Sequence, residues 1–190
     1  MLGPLGPTFV LSADFGNTGL GKTARTHMPR NTLDLVPTAA RSLHTLLEIS
    51  DHISAGRLRQ EVAHTVKGLF DLLAWSDGIL DSREVALLDQ LCLEVPDFKE
   101  LCDAHDIYEP TDPTFGEIPK LLTAVVAHDR HTGERLTPVL VAALESMGYA
   151  IIGASGVPLD IAKSELHIYI NTLRQLSRDL TKASVVVTMR

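Results

Sequence analysis

The residues best able to do chemistry in this chain sit in a few short stretches. The first is GNTGLGKT, Gly16 to Thr23, which satisfies the phosphate-binding pattern G-x-x-x-x-G-K-[ST] letter for letter. In that pattern Gly16 and Gly21 let backbone N–H groups approach the phosphates, Lys22 reaches their outer oxygens and Thr23 holds magnesium. The mechanism needs a strand ahead of the loop and a sustained helix after it. Thr8 to Leu11 offers only a short strand, Pro29 leaves little room for helix beyond Lys22, and Ala24 to Arg30 has no apolar periodicity. A nucleotide-hydrolysing enzyme of this type also needs a parallel sheet with an Asp at a strand end. Leu121 to Asp129 imitates such a strand, yet helical patterns surround it. The stretch therefore reads as a flexible, slightly basic tail, and phosphate capture by Gly16, Gly21, Lys22 and Thr23 is the alternative.

The second stretch gathers Asp77, Asp81 and Glu84 at one predicted helix–loop–helix corner. Asp81 can cap the following helix while Glu84, three positions on, reaches back, which makes a capping box with Asp in the first role. Asp77-Gly78 then simply stops the preceding helix. Three carboxylates at one corner also suit a hard cation such as Ca²⁺ or Mg²⁺, which prefers oxygen ligands. The spacing lacks the D-x-D-x-D run of an EF-hand, and capping alone accounts for the residues economically.

The histidines complete the inventory. Glu61-x-x-His64 has the spacing of a carboxylate-bridged di-iron pair, but no second E-x-x-H accompanies it. His128 and His131 fall near a predicted helix C-terminus, where a protonated ring interacts favourably with the helix dipole. No Ser or Cys is tied by spacing to a particular His and carboxylate, so the chain reads as non-enzymatic.

The elements that must position these residues are helices. Apolar residues form 45% of the chain and aromatics only 5%, a balance that suits helices packed through aliphatic side chains. Residues 1–31 are rich in Gly and Pro; from Pro37 onward, apolar spacings of three and four mark amphipathic helices. The predicted spans run from Pro37 to about Ser54, about Arg57 to Trp75, and Ser82 to Val95, with a short helix around Phe98 to Cys102. Three more follow: from Pro119 to the His128–Gly133 turn, from Thr137-Pro138 through Ile152, and from about Asp160 to Thr181. Thr137 is expected as the cap of the sixth and Pro138 as its first residue. Residues 184–190, β-branched from Val185 to Thr188, read as a short strand or a tail. The expected architecture is all-α, a single bundle of about seven helices over residues 32–183.

Charge narrows the partners. The net charge is −7, with three basic residues against Asp14 in residues 1–30 and five against Glu165 and Asp179 in residues 163–190. The acidic excess therefore lies in the centre, which argues against a nucleic-acid surface and favours divalent cations or a basic protein. Cys92 and Cys102 lack metal spacing and read as reduced, buried thiols. No signal-peptide pattern and no apolar run of membrane-spanning length is evident, so the expected location is cytoplasmic.

The corner LLAWSDGILDSREVALLDQL, residues 72–91, resembles the tellurite-resistance TerB-like family, in which an apolar helix leads to Asp-Gly and a Glu opens the next helix. That family shows a second, related corner, and YAIIGASGVPLDIAKSEL, residues 149–166, is similar to it. The resemblance covers about residues 57–180. It implies an all-helical fold, divalent-metal binding at Asp77, Asp81 and Glu84 with Asp160 and Glu165 in the second corner, and association with domains such as AAA-type ATPases and DnaJ-like chaperones. One departure is clear: Ser155 stands where the second Asp would be, and the gap to Glu165 is longer. The expected function is a non-enzymatic interaction module of a stress-response or assembly system, which binds a protein partner and a divalent cation. A nucleotide-binding factor, or an accessory domain working with an AAA-type ATPase, is the alternative.

Overall fold

Helices arise wherever the apolar spacing calls for them. In the computed structural model, residues 30–73, 82–104, 119–154 and 159–183 are described, and they form seven helices with no strand among them. These are α1 (Arg30–Ser54), α2 (Arg59–Leu73), α3 (Ser82–Glu94), α4 (Pro96–Ala104), α5 (Lys120–Thr132), α6 (Leu136–Ala154) and α7 (Leu159–Ala183). The all-α bundle of about seven helices is thus the architecture of the protein.

Helix α6 organises the bundle. Val141, Leu144, Met147, Ile151 and Ile152 are buried along it, together with Leu140 and Ala150 between them. It packs most extensively on α1 and also touches α2, α3, α5 and α7. A helix with neighbours on so many sides must be apolar nearly all round, and α6 is. By length and composition it is the one described helix that would suffice to cross a bilayer, which amends the expectation that no apolar run reaches that length. Its burial between the other helices accounts for the same composition.

The remaining helices each offer one apolar stripe to that centre. Leu43, Leu46 and Leu47 of α1, Val62, Val66, Leu69, Phe70 and Leu73 of α2, and Leu87, Leu88 and Leu91 of α3 are buried. Phe98 closes the α4 side, with Leu121, Leu122, Val125 and Val126 of α5 and Leu166, Ile170 and Leu173 of α7 completing one continuous core. Each fully buried Leu or Phe contributes roughly 1.5–3 kcal/mol relative to exposure. Close approach of α6 and α7 depends on Gly148, where a β-carbon would overlap the side chain of Leu166.

The helix ends follow local chemistry, with three differences from the sequence expectation. α1 stops where Ala55 (φ 50°) and Gly56 (φ 85°) turn left-handed, as the Ser54-Ala55-Gly56 run requires. Its start lies at Arg30, ahead of Pro37, which sits inside the helix. Proline lacks an N–H, but packing of the following stripe on α6 sustains the helix through it. α4 begins at Pro96, just after the end of α3 and two residues ahead of the expected Phe98, the proline standing where its missing donor costs nothing. α6 begins at Leu136 rather than after a Thr137 cap, because Asp129 supplies the cap from the preceding helix.

Candidate functional site

The chain turns sharply between α5 and α6, and that turn is built from specific bonds. Gly133 ends α5 in the left-handed conformation (φ 80°) and its N–H donates to the Asp129 carbonyl at 2.8 Å. The Asp129 carboxylate accepts the N–H groups of Leu136 at 2.9 Å and Thr137 at 2.8 Å, satisfying two donors that the first turn of α6 leaves without a carbonyl partner. The Thr132 hydroxyl donates to the His128 carbonyl at 3.0 Å and accepts the Glu134 N–H at 3.2 Å. Glu134 is thereby held at the apex, with its backbone fixed on both sides.

Two imidazoles face that carboxylate. His52 comes from the last turn of α1 and His128 from the last part of α5. Both Nε2 atoms lie against the same oxygen, Glu134 Oε2, at 2.9 Å for His52 and 3.3 Å for His128. The rings meet edge to face, with centroids 5.5 Å apart and planes inclined by 71°. One ligand-capable atom from each residue falls within 4.8 Å of the other two. The hydrogen bond from His52, reinforced by that from His128, holds the Glu134 carboxyl below the ordinary carboxylate range. Chemically, this is a two-histidine, one-carboxylate cluster, open to solvent on the side of His52 and Glu134.

His128 lies near a helix C-terminus, as its place in the sequence predicts, and its partners there extend beyond the helix dipole to His52 and Glu134. The cluster was hidden because His52 and Glu134 are 82 residues apart in sequence. Only the Gly133 turn, which brings Glu134 back beside α5, left any local trace. His131, read together with His128, points outward and takes no part.

The other candidates divide. Asp77 and Asp81 lie outside the described residues, as do Gly16, Gly21, Lys22 and Thr23. Glu84 stands in the first turn of α3 and is 1% exposed, so its side chain is enclosed by the fold. Asp160 stands exposed on the first turn of α7. Glu165 is half-buried, and its Oε2 is enclosed with no hydrogen-bond partner among the described residues. Among those residues, Glu84, Asp160 and Glu165 do not converge into a three-ligand group. Glu61, weighed as half of a di-iron motif, is instead drawn to Lys120 of α5 at 3.4 Å, with His64 at 3.8 Å, and ties α2 to α5.

The surface carries one further feature. Ile161 and Ile168 of α7 are 54% and 63% exposed, and a separation of seven residues puts them on the same side of the helix. Tyr149, also exposed, reaches α7 from α6, its hydroxyl 2.9 Å from His167 Nε2 beside Ile168. Compared with protein-family models, with curated proteins and with solved structures, the chain gives no match.

Proposed function

We propose that the protein is a non-enzymatic helical interaction module, of the TerB-like kind in its two helix corners, that binds a partner protein through the outer side of α7. The observation that carries this reading is the pair Ile161 and Ile168, large apolar side chains left in water one heptad apart on a 25-residue helix. An isolated exposed isoleucine is ordinary, but apolar residues repeated at heptad spacing are how a helix presents a seam to another helix.

A divalent cation, calcium or magnesium, at the corner formed by Asp77, Asp81 and Glu84 belongs to the same proposal. Its support is the TerB-like resemblance of residues 72–91, together with the position of Glu84 in the first turn of α3. A role in stress response or assembly, with an AAA-type ATPase as one kind of partner, follows from the TerB-like resemblance and is proposed on that ground alone.

The test is capture from native lysate with the full chain and with the Ile161→Glu/Ile168→Glu variant, each with and without EDTA. The proposal expects proteins retained by the first and lost from the second, with circular dichroism unchanged. Equal capture by both baits would remove α7 as the docking side. For the corner, NMR shifts on calcium or magnesium titration are expected to vanish in Asp77→Asn/Glu84→Gln, and their survival would place the cation elsewhere.

A further inference from the structure

From the convergence of His52, His128 and Glu134 we infer a binding site for a divalent transition metal of the zinc class, separate from the acidic corner and joining the end of α1 to the α5–α6 turn. The donor set decides the class of metal. Two imidazole nitrogens with one carboxylate oxygen suit zinc, cobalt or nickel, whereas calcium and magnesium demand oxygen shells.

The geometry is close to what such an ion needs. Zinc bonds to nitrogen and oxygen are about 2.0–2.2 Å long, so ligand atoms around a tetrahedral ion stand roughly 3.3 Å apart. Here the two imidazole–carboxylate separations are 2.9 and 3.3 Å, and all three atoms lie within 4.8 Å of one another. Small side-chain rotations open the present contacts into metal bonds, each imidazole offering the Nε2 lone pair of the tautomer that carries its proton on Nδ1.

Three supports are already in place. Glu134 is pinned by the Gly133 turn and by its N–H bond to Thr132, so one ligand needs little ordering. The two histidines sit in the C-terminal parts of α1 and α5, where the helix dipoles favour a cation. The side chains of His52, Glu134 and His128 are 55%, 42% and 21% exposed, which leaves the fourth position facing solvent for a water molecule. The ligands come from two helices and the turn, so the ion acts as a clip across elements that are distant in sequence.

The probes are zinc sulfate and cobalt chloride added to the full chain. Calorimetry is expected to show one equivalent of zinc bound, with affinity reduced at least about tenfold in each of His52→Ala, His128→Ala and Glu134→Gln and unchanged in two controls outside the cluster, His44→Ala on the exposed side of α1 and His131→Ala. Cobalt is expected to give the visible absorption of a four-coordinate nitrogen and oxygen site, lost in the same three variants. Zinc is also expected to raise the melting temperature of the unaltered chain but not of His52→Ala. None of the three ligands belongs to the buried core, so the variants are expected to keep the helical circular dichroism of the parent. Absence of a one-to-one event, equal affinity in His52→Ala, or equal weakening by His131→Ala would each overturn the assignment.

Discussion

The carboxylate of Asp129 accepts the backbone N–H of Thr137 at 2.8 Å, so the last part of α5 caps the first turn of α6. The same carboxylate takes the Leu136 N–H through its other oxygen at 2.9 Å. One side chain thus fixes the start of the central helix and the turn that carries Glu134.

Asp129→Ala is therefore expected to destabilise the fold by about 1–2 kcal/mol, the usual cost of removing a helix cap. Asn at this position retains one acceptor oxygen in place of two, and Asp129→Asn is expected to fall between the parent and Asp129→Ala. Urea unfolding of the three proteins checks the order. Equal midpoints would mean that solvent replaces the cap without loss.

Two helical glycines are expected to respond in opposite directions to alanine. Gly68 of α2 has open space where a β-carbon would stand, so Gly68→Ala gains helix propensity and stabilises by about 0.5–1 kcal/mol. At Gly148 the added methyl overlaps Leu166, which is fully buried and has little room to yield. Overpacking typically costs about 1–3 kcal/mol, so Gly148→Ala loses more than the propensity returns and destabilises overall. Thermal melts of the two variants give the signs directly.

Ser50 lies fully buried on α1, and its Oγ has no hydrogen-bond partner among the described residues. A buried hydroxyl without a partner loses its hydration for nothing, at a cost of about 1–3 kcal/mol. Ser50→Ala removes that hydroxyl and supplies the best helix former, so a higher denaturation midpoint is expected. A lower one would show that the hydroxyl has a role in packing.

Stability is expected to decline at both ends of the pH scale. Arg59 grips Asp51 through two bonds, Nε to Oδ1 at 2.8 Å and Nη2 to Oδ2 at 2.6 Å, and binds Asp97 through Nη1 at 2.7 Å. The hydrogen bonds from Arg59, outweighing partial burial, hold the Asp51 carboxyl below its ordinary value. Its contribution is present above the unfolded-state value and is lost as pH falls and Asp51 protonates. Because the pair is partly exposed, a loss of only about 1 kcal/mol or less is expected, and it should be absent in Arg59→Gln. At the alkaline end, burial pushes the Tyr169 hydroxyl up to about 12. The folded state then holds that proton more tightly than the unfolded chain, so stability is full below about pH 10 and falls as pH rises toward 12. Tyr169→Phe is expected to flatten that alkaline decline.

How much of this was legible in the sequence depends on the range over which each feature acts. The amphipathic character of α2, α3, α5 and α7 is legible in the sequence, because a helix of period 3.6 displays its buried side within a few turns of chain. The stop at Ala55-Gly56 and the Gly133 turn were equally local, since each rests on left-handed backbone at one or two positions. Caps were less visible: Thr137 had the right residue type at the right place, yet Asp129, eight residues earlier, does the work. A cap contributed across a tight turn cannot be distinguished by local pattern from one next in sequence.

The candidate site shows the same division more sharply. Sequence by itself determined that the chain forms helices, which side of each is apolar, and that acidic residues gather where α3 begins, because these are properties of neighbouring residues. It left His52 as an unremarked residue near a helix end and His128 as a partner of its own dipole. Tertiary packing alone decided that α1 and α5 end side by side and that Glu134 returns between them. Helix pairing is set by the burial of many side chains at once around α6, and a side-chain cluster assembled from residues 52, 128 and 134 exists only after that burial has fixed the distances.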